Sequence, residues 1–144
     1  MKKLYFIKNM ALVLTVLLLI ACSLNGKAQK YVTVATIGNA PSSIKTENKQ
    51  EIVDHVILFW KNELRQVLPD KPDLIVLPEF CDLSGEGEEY LNIRKNQVLD
   101  YFSSVSKSNR CYIAFGTQRR DDKGNWRNSC ILLDREGRTA SIYD

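Results

Sequence analysis

An acidic residue that directly follows a short apolar run is the feature of this sequence best suited to chemistry. Leu74 to Leu77 are consecutive apolar residues, and Pro78 and Glu79 follow them at once. Such a run predicts a strand covered on both faces, as in a parallel sheet flanked by helices. Because chemistry in open α/β sheets gathers at the carboxyl ends of strands, Glu79 is a candidate general base. Its neighbours Leu77 and Phe80 predict a carboxylate partly withdrawn from water. The alternative, that Glu79 only caps the following loop or faces water, stays open.

The cysteines offer a second kind of reactive group. The chain has four of them, and none is spaced as C-x-x-C, so we expect no zinc or iron–sulfur site. Cys81 lies two residues beyond Glu79 and could act as a nucleophile, but no base partner is evident and we expect it to be inert. Cys111 and Cys130 fall in apolar strands, which predicts small core residues.

The amino terminus has the pattern of a bacterial export signal. Lys2, Lys3 and Lys8 precede an uncharged run from Met10 to Leu24, which is too short and wrongly flanked for a stable membrane span. Residues 1–28 are therefore predicted to be a signal peptide, and residues 29–144 the exported domain.

Two processing signals overlap at the end of this segment. Leu19-Ile20-Ala21-Cys22 resembles the lipobox, in which Cys22 would be lipidated and attach the protein to the membrane. Gly26-Lys27-Ala28 instead suits ordinary cleavage before Gln29. The lipobox is the more specific match, so we expect a lipoprotein of the cell envelope, with a free periplasmic protein as the alternative.

The charge balance changes once the predicted signal is removed. The whole chain has 20 basic and 17 acidic residues, a net charge of +3. Four lysines and no acid precede Gln29, so the remainder carries 16 basic and 17 acidic residues, a net charge of −1. The basic character belongs to the signal, and we expect no nucleic-acid partner.

Strand-like and helix-like segments alternate along the rest of the chain, with no repeat or linker between them. The long amphipathic segment has apolar residues at steps of three and four, and the acidic, glycine-containing segment beside Glu79 predicts a flexible loop. The order βαβαβββ indicates one α/β domain. The predicted elements are strand 31–37, helix 46–68, strand 74–77, loop 81–89, helix 90–108, strand 111–118, strand 126–134 and strand 139–143.

Three of these segments resemble the amino-terminal half of the carbon–nitrogen hydrolase (nitrilase) superfamily. Residues 31–38 are similar to its opening strand, and residues 73–80 to the strand that delivers its catalytic glutamate. The run from Asn128 to Tyr143 is similar to the hairpin that leads to its catalytic lysine. The resemblance implies part of a four-layer αββα sandwich, with the second half missing and an apolar sheet surface left exposed.

The resemblance also implies a reaction. Members of this superfamily hydrolyse non-peptide C–N bonds of small amides or nitriles with a Glu-Lys-Cys triad and no cofactor or metal. The cysteine attacks the substrate carbon, the glutamate moves the proton, and the lysine stabilises the oxyanion. Only Glu79 can be assigned, as the general base; Cys81 and Cys130 do not match the nucleophile by position. We therefore expect an exported amidase-like hydrolase, a homo-oligomer as is common in the family, and no activity from this chain alone.

Three alternatives remain. A nitrilase-like domain without catalysis could serve as a binding scaffold anchored in the cell envelope. A nucleotide- or flavin-binding domain would need a glycine-rich turn after the first strand, but Gly38 to Ser43 contains one glycine and a proline. The related membrane acyltransferase of lipoproteins would need several membrane spans before the domain, which one short apolar segment does not supply.

Overall fold

A five-stranded mixed sheet organises the computed structural model, which describes residues 31–144. The predicted signal peptide, the predicted lipobox with Cys22 and the predicted cleavage position before Gln29 lie outside these residues. The strands stand side by side in chain order. They are β1 (Val34–Thr36), β2 (Leu74–Val76), β3 (Tyr112–Arg120), β4 (Trp126–Leu133) and β5 (Thr139–Tyr143).

The direction of the strands follows from their connections. β1, β2 and β3 are parallel, since helical crossovers join them, and β3, β4 and β5 are antiparallel because short turns join them. The carboxyl ends of β2 and β3 therefore lie at one edge of the sheet, and the antiparallel β4 begins at that same edge. This edge is where the sequence predicts the chemistry.

The first helix confirms the amphipathic pattern. α1 (Lys49–Val67) begins after Asn48, whose side chain accepts a hydrogen bond from the Gln50 backbone N–H and so caps the first turn. The buried residues of α1 repeat at the predicted steps: Ile52, Val53, Val56, Trp60 and Leu64.

The second predicted helix, over residues 90–108, is wrong as a single element. The structure has two helices, α2 (Glu88–Arg94) and α3 (Gln97–Asn109). The backbone breaks at Lys95, where φ is +42°, and Arg94 ends α2 with its side chain buried. The observed order is therefore βαβααβββ, still an α/β domain. Among residues 31–144, no helix has the length and apolar character needed to cross a bilayer.

The core lies on one face of the sheet, under the helices. Trp60 of α1 and Phe102 of α3 are fully buried and meet edge to face, 5.9 Å between ring centroids, and Phe102 packs on Phe115 of β3. The opposite face keeps large apolar side chains exposed, among them Tyr112 and Tyr143. The exposed apolar face that the resemblance implies is thus present in the described part of the chain.

Strand limits differ modestly from the predictions. β1 is shorter than residues 31–37, and β3 runs two residues beyond the predicted end at 118. Cys111 is buried as predicted, but Cys130 is exposed, so the prediction of a core role for Cys130 is wrong. Residues alternate between the two faces of a strand, and Cys130 occupies the uncovered face of β4.

Candidate active site

Glu79 lies where the sequence places it, just past the carboxyl end of β2. The Leu77 backbone N–H still donates to the Ala114 carbonyl of β3 at 2.9 Å. Pro78 has no backbone N–H to donate, so the pairing of the chain with β3 ends there. The Glu79 backbone crosses β3 at Gly116, which has no side chain to block it. The carboxylate therefore stands over the edge of the sheet rather than within the core.

Asn128 holds the Glu79 side chain in place. Its Nδ2 donates a hydrogen bond of 2.5 Å to Glu79 Oε1. Asn128 lies near the start of β4, and its register partner on β3 is Gln118. Because β4 begins at the edge where β2 ends, residues 49 positions apart meet there. Within residues 31–144, no donor bonds to Oε2 of Glu79.

The environment of Glu79 differs from the prediction. Glu79 is exposed, and so is Phe80, which is 39 % exposed. The predicted withdrawal of this carboxylate from water by Leu77 and Phe80 is therefore wrong for the described residues. Leu77 turns into the core, while Phe80 adopts a left-handed backbone conformation with φ +53° that directs the chain away from the sheet.

The segment after Glu79 is anchored from two helices. Trp60 Nε1 of α1 donates to the Cys81 carbonyl at 2.6 Å, and the Tyr90 hydroxyl of α2 donates to the Asp82 carbonyl at 2.5 Å. Both bonds are buried, where an unpaired donor or carbonyl is costly. The prediction of a flexible loop over residues 81–89 is thus wrong in its first half, since Cys81 and Asp82 are both fully buried.

A buried ion pair provides the third anchor. Arg94 Nη1 binds Asp82 Oδ2, and both residues also bond to Thr117 Oγ1 of β3, which donates to Asp82 and accepts from Arg94 at 2.7 Å. Arg94 Nη2 donates to the Gln118 carbonyl at 2.8 Å. Asp82 is completely buried and Arg94 is 8 % exposed. Burial lowers the pKa of Arg94 to about 10, which leaves it charged at neutral pH.

These anchors hold a strained piece of backbone. Phe80 and Leu83 both have left-handed φ angles, +53° and +54°, which cost non-glycine residues roughly 1–3 kcal/mol each. A turn closes between them, with the Leu83 N–H donating to the Phe80 carbonyl at 3.0 Å. We infer that the buried bonds of Cys81 and Asp82 offset this cost and fix the backbone on which Glu79 stands.

Cys81 is inert in this arrangement, as expected. Its thiol is buried and donates to the Gly116 carbonyl at 3.4 Å, and burial raises its pKa to about 12. It is therefore protonated at neutral pH and is a poor nucleophile. Burial also raises the pKa of Cys111. Within residues 31–144, no cluster of three or more potential metal-binding His, Cys, Asp or Glu residues is present.

Sequence reasoning assigns no role to the residues that position Glu79. Asn128 belongs to the hairpin that resembles the family, but its contact depends on strand register between distant parts of the chain. The sequence gives a weak indication that Arg94 is buried, because it lies between the apolar residues Leu91 and Val98 of a predicted helix. A cation on the apolar side of a helix is rarely buried without a paired acid, but the sequence does not identify Asp82 as that acid.

Gly116 gives a first testable prediction. A Cβ atom at Gly116 would lie 2.9 Å from Glu79 Cα, too close for the two backbones to keep their positions. We expect Gly116→Ala to lower the free energy of unfolding by about 1–3 kcal/mol, as overpacking does. It should also lengthen the Asn128–Glu79 hydrogen bond. Urea denaturation measures the first effect, and the NMR shift of the Asn128 side-chain amide reports the second.

Gly38→Ala is the matched control, because an added Cβ there meets no atom within 4 Å. It should leave both quantities unchanged. If Gly116→Ala behaved like Gly38→Ala, the close crossing of Glu79 over β3 would be wrong.

Comparisons with known proteins identify the family and the fold of this chain. Residues 33–144 match the sequence profile of the carbon-nitrogen hydrolase family. Among solved structures, an N-terminal amidase superposes with a TM-score of 0.62 and 22 % identity, over 78 % of this chain and 27 % of its own. That amidase has also been crystallised with Gln-Val and Asn-Glu peptides.

Two further structures have the same fold at lower identity. A carbon-nitrogen hydrolase from Helicobacter pylori G27 superposes with a TM-score of 0.54 and 15 % identity, over 78 % of this chain and 38 % of its own. The NitN amidase from Neterenkonia sp. AN1 gives 0.58 and 8 % identity, over 79 % and 44 %. This chain therefore spans less than half the length of each of these structures.

No curated protein matches the chain significantly in sequence. The family profile nevertheless covers the whole sheet and all the helices described above. The partial nitrilase-type fold expected from the sequence is confirmed. The chain belongs to the carbon–nitrogen hydrolase family.

Proposed function

We propose that this chain supplies the general base of an amidase-like hydrolase that cleaves non-peptide C–N bonds. One observation carries the proposal: the Glu79 carboxylate stands at the carboxyl edge of the parallel strands, with one oxygen held by Asn128 at 2.5 Å. A base has to be fixed within hydrogen-bond reach of the proton that it takes. Family membership and the amide-containing peptides bound by the similar N-terminal amidase support an amide as the substrate.

In the proposed mechanism Glu79 acts with a lysine and a cysteine. Glu79 removes the proton of the cysteine thiol, whose sulfur attacks the amide carbon, and later gives that proton to the departing ammonia or amine. The acyl group is then held on the cysteine as a thioester, which a water molecule hydrolyses to release the carboxylic acid and restore the thiol. The lysine stabilises the negative oxygen of the tetrahedral intermediate. Among the described residues, Cys81 and Cys111 are buried, and Cys130 does not match the nucleophile by position. We therefore expect this chain to be inactive by itself.

The cellular setting is part of the same proposal. A basic segment followed by an apolar run over residues 1–28 supports export, and the lipobox at Cys22 supports attachment to the cell envelope. The active protein would then meet small amides or nitriles outside the cytoplasm. Metabolic labelling with a radioactive fatty acid, compared between the native protein and Cys22→Ser, tests the attachment.

Ammonia release from a panel of simple amides tests the activity. We expect the protein in its native, full form to release ammonia and to lose that activity on thiol alkylation, and the 144-residue chain to release none. Activity that survives alkylation would contradict a cysteine nucleophile. Absence of hydrolysis from every amide and nitrile would favour the non-catalytic scaffold instead.

A further inference from the structure

A cavity borders the segment that follows Glu79 in the chain. Its volume is about 310 Å³, and Ser43, Phe80, Leu83, Gly85 and Glu86 line it. Phe80 is the residue next to Glu79, so the cavity begins one residue from the proposed base. At roughly 30 Å³ per water molecule it has room for a small organic substrate.

The lining combines one acidic group with an aromatic ring. Glu86 is half-buried, and its Oε1 accepts a hydrogen bond from the Ser43 hydroxyl. The Phe80 ring is partly exposed. Within residues 31–144, no basic residue lines the cavity. A carboxylate beside an exposed aromatic face is the combination that binds a protonated amine, through a charge-assisted hydrogen bond and a cation–π contact.

The charge of Glu86 is not neutralised by the described part of the chain. Of the acids in this region, Asp82 pairs with Arg94 and Glu88 pairs with Arg120 at 2.5 Å. Among residues 31–144, Glu86 forms no ion pair, and the Ser43 hydroxyl, a neutral donor, is its side-chain partner. A half-buried carboxylate without a counter-ion favours a cationic ligand, which would supply the missing charge.

The wall that carries Glu86 is pre-organised. Glu86 ends a short 3₁₀ turn (Ser84–Glu86), and its N–H donates to the Leu83 carbonyl at 3.0 Å. The turn starts two residues after Asp82, whose buried bonds fix its origin. Burial, and then the charge of Glu86, raises the pKa of the Tyr90 hydroxyl, which places this charge close to the buried anchor. A fixed carboxylate loses less entropy on binding than a mobile one.

We infer that this cavity binds a protonated amino group of the substrate, so that the preferred substrates are amides that also carry an amine. This inference rests on the amide hydrolase function proposed above and adds a specificity-determining residue, Glu86, to it. The amine would occupy the cavity between Glu86 and Phe80, and the amide would extend toward Glu79. Neutral amides of the same shape would bind less tightly.

A pair of isosteric amides tests the inference by binding alone. Glycinamide carries an ammonium group where propionamide carries a methyl group. In NMR titrations of the ¹⁵N-labelled protein at about pH 6.5, below the usual pKa of an α-amino group, we expect glycinamide to shift the Phe80, Gly85 and Glu86 amide signals. Propionamide should bind at least about tenfold more weakly, the loss typical of one charge-assisted hydrogen bond.

Three variants make the result specific. Glu86→Gln should remove the preference for glycinamide, and Glu89→Gln, an exposed acid that does not line the cavity, should keep it. Phe80→Leu removes the aromatic face and should reduce the preference, which provides a second test if Glu86→Gln fails to fold. Equal affinity for the two amides, no shift with glycinamide, or an unchanged preference in folded Glu86→Gln would overturn the inference.

The same titration separates this inference from the proposed function. Carried out in Glu79→Gln, in which hydrolysis is expected to be at least about 10²-fold slower, it measures binding of the two amides with little turnover. If the native protein preferred glycinamide in binding but hydrolysed no amide, the amine site would be supported and the proposed hydrolase function contradicted. If the native protein hydrolysed propionamide and glycinamide with equal kcat/KM, the proposed hydrolase function would be supported and the amine site contradicted.

Discussion

Replacing Glu79 with glutamine is expected to lower kcat for amide hydrolysis by about 10²- to 10⁴-fold, the usual contribution of a positioned general base. The change removes proton exchange at one side chain and little else. The glutamine side chain would keep an oxygen that can accept the 2.5 Å hydrogen bond from Asn128, and the exposed position leaves room for the amide. Stability and substrate affinity should therefore stay close to those of the unmodified protein.

Steady-state assays of ammonia release on the native, full protein measure this effect. Glu47→Gln is the matched control, because Glu47 is also exposed and lies in the loop before α1. It should leave kcat unchanged. A Glu79→Gln protein that retained more than about a tenth of the original kcat would mean that another group moves the proton, since general bases contribute at least about 10².

The location of Glu79 can be predicted because the residues around it and the expected topology of the sheet indicate the same position. An apolar run that ends on Pro78 predicts both a buried strand and its end, and a parallel sheet places such ends at a common edge. The direction of the final three strands is equally predictable, since turn residues such as Asp121 and Gly124 leave no room for a crossover.

The surroundings of Glu79 cannot be predicted in the same way, because they depend on contacts between distant parts of the chain. The exposure of Glu79 follows from the path of the backbone over Gly116, and the role of Asn128 follows from the register of β3 and β4. Local composition favours a flexible acidic loop over residues 81–89. The buried bonds from Trp60 and Arg94 override that preference, and both donors come from elements elsewhere in the sequence.

The break between α2 and α3 has the same kind of cause. No glycine or proline marks Lys95, so an amphipathic pattern continues through the junction in the sequence. In the structure Arg94 turns inward to Asp82 and Thr117, and the backbone then leaves the helix at Lys95. A buried polar contact can thus end a helix that its own residues would continue.

Arg94→Met is expected to lower the free energy of unfolding by about 3–5 kcal/mol, because it leaves the carboxylate of Asp82 buried without its cation. Methionine fills much of the space of the arginine stem, so little of this loss comes from packing. The variant also removes the donors to Thr117 and to the Gln118 carbonyl. Urea denaturation followed by circular dichroism measures the change.

Two comparisons identify the cause of that loss. Arg65→Met alters an exposed arginine on α1 and should change the free energy of unfolding by less than about 0.5 kcal/mol. Adding Asp82→Asn to Arg94→Met removes the stranded charge. The asparagine oxygen still accepts from the Ser84 N–H, and its NH₂ group, which cannot accept from the Thr117 hydroxyl as the carboxylate does, can donate to Thr117 Oγ1 instead. The double variant should therefore recover more than half of the lost stability. If the double variant were as unstable as Arg94→Met alone, the loss would come from missing hydrogen bonds rather than from the buried charge. A separate measurement tests whether the ion pair stabilises the segment that carries Glu79. In Arg94→Met, amide hydrogen exchange should become faster in residues 79–87 and stay unchanged elsewhere.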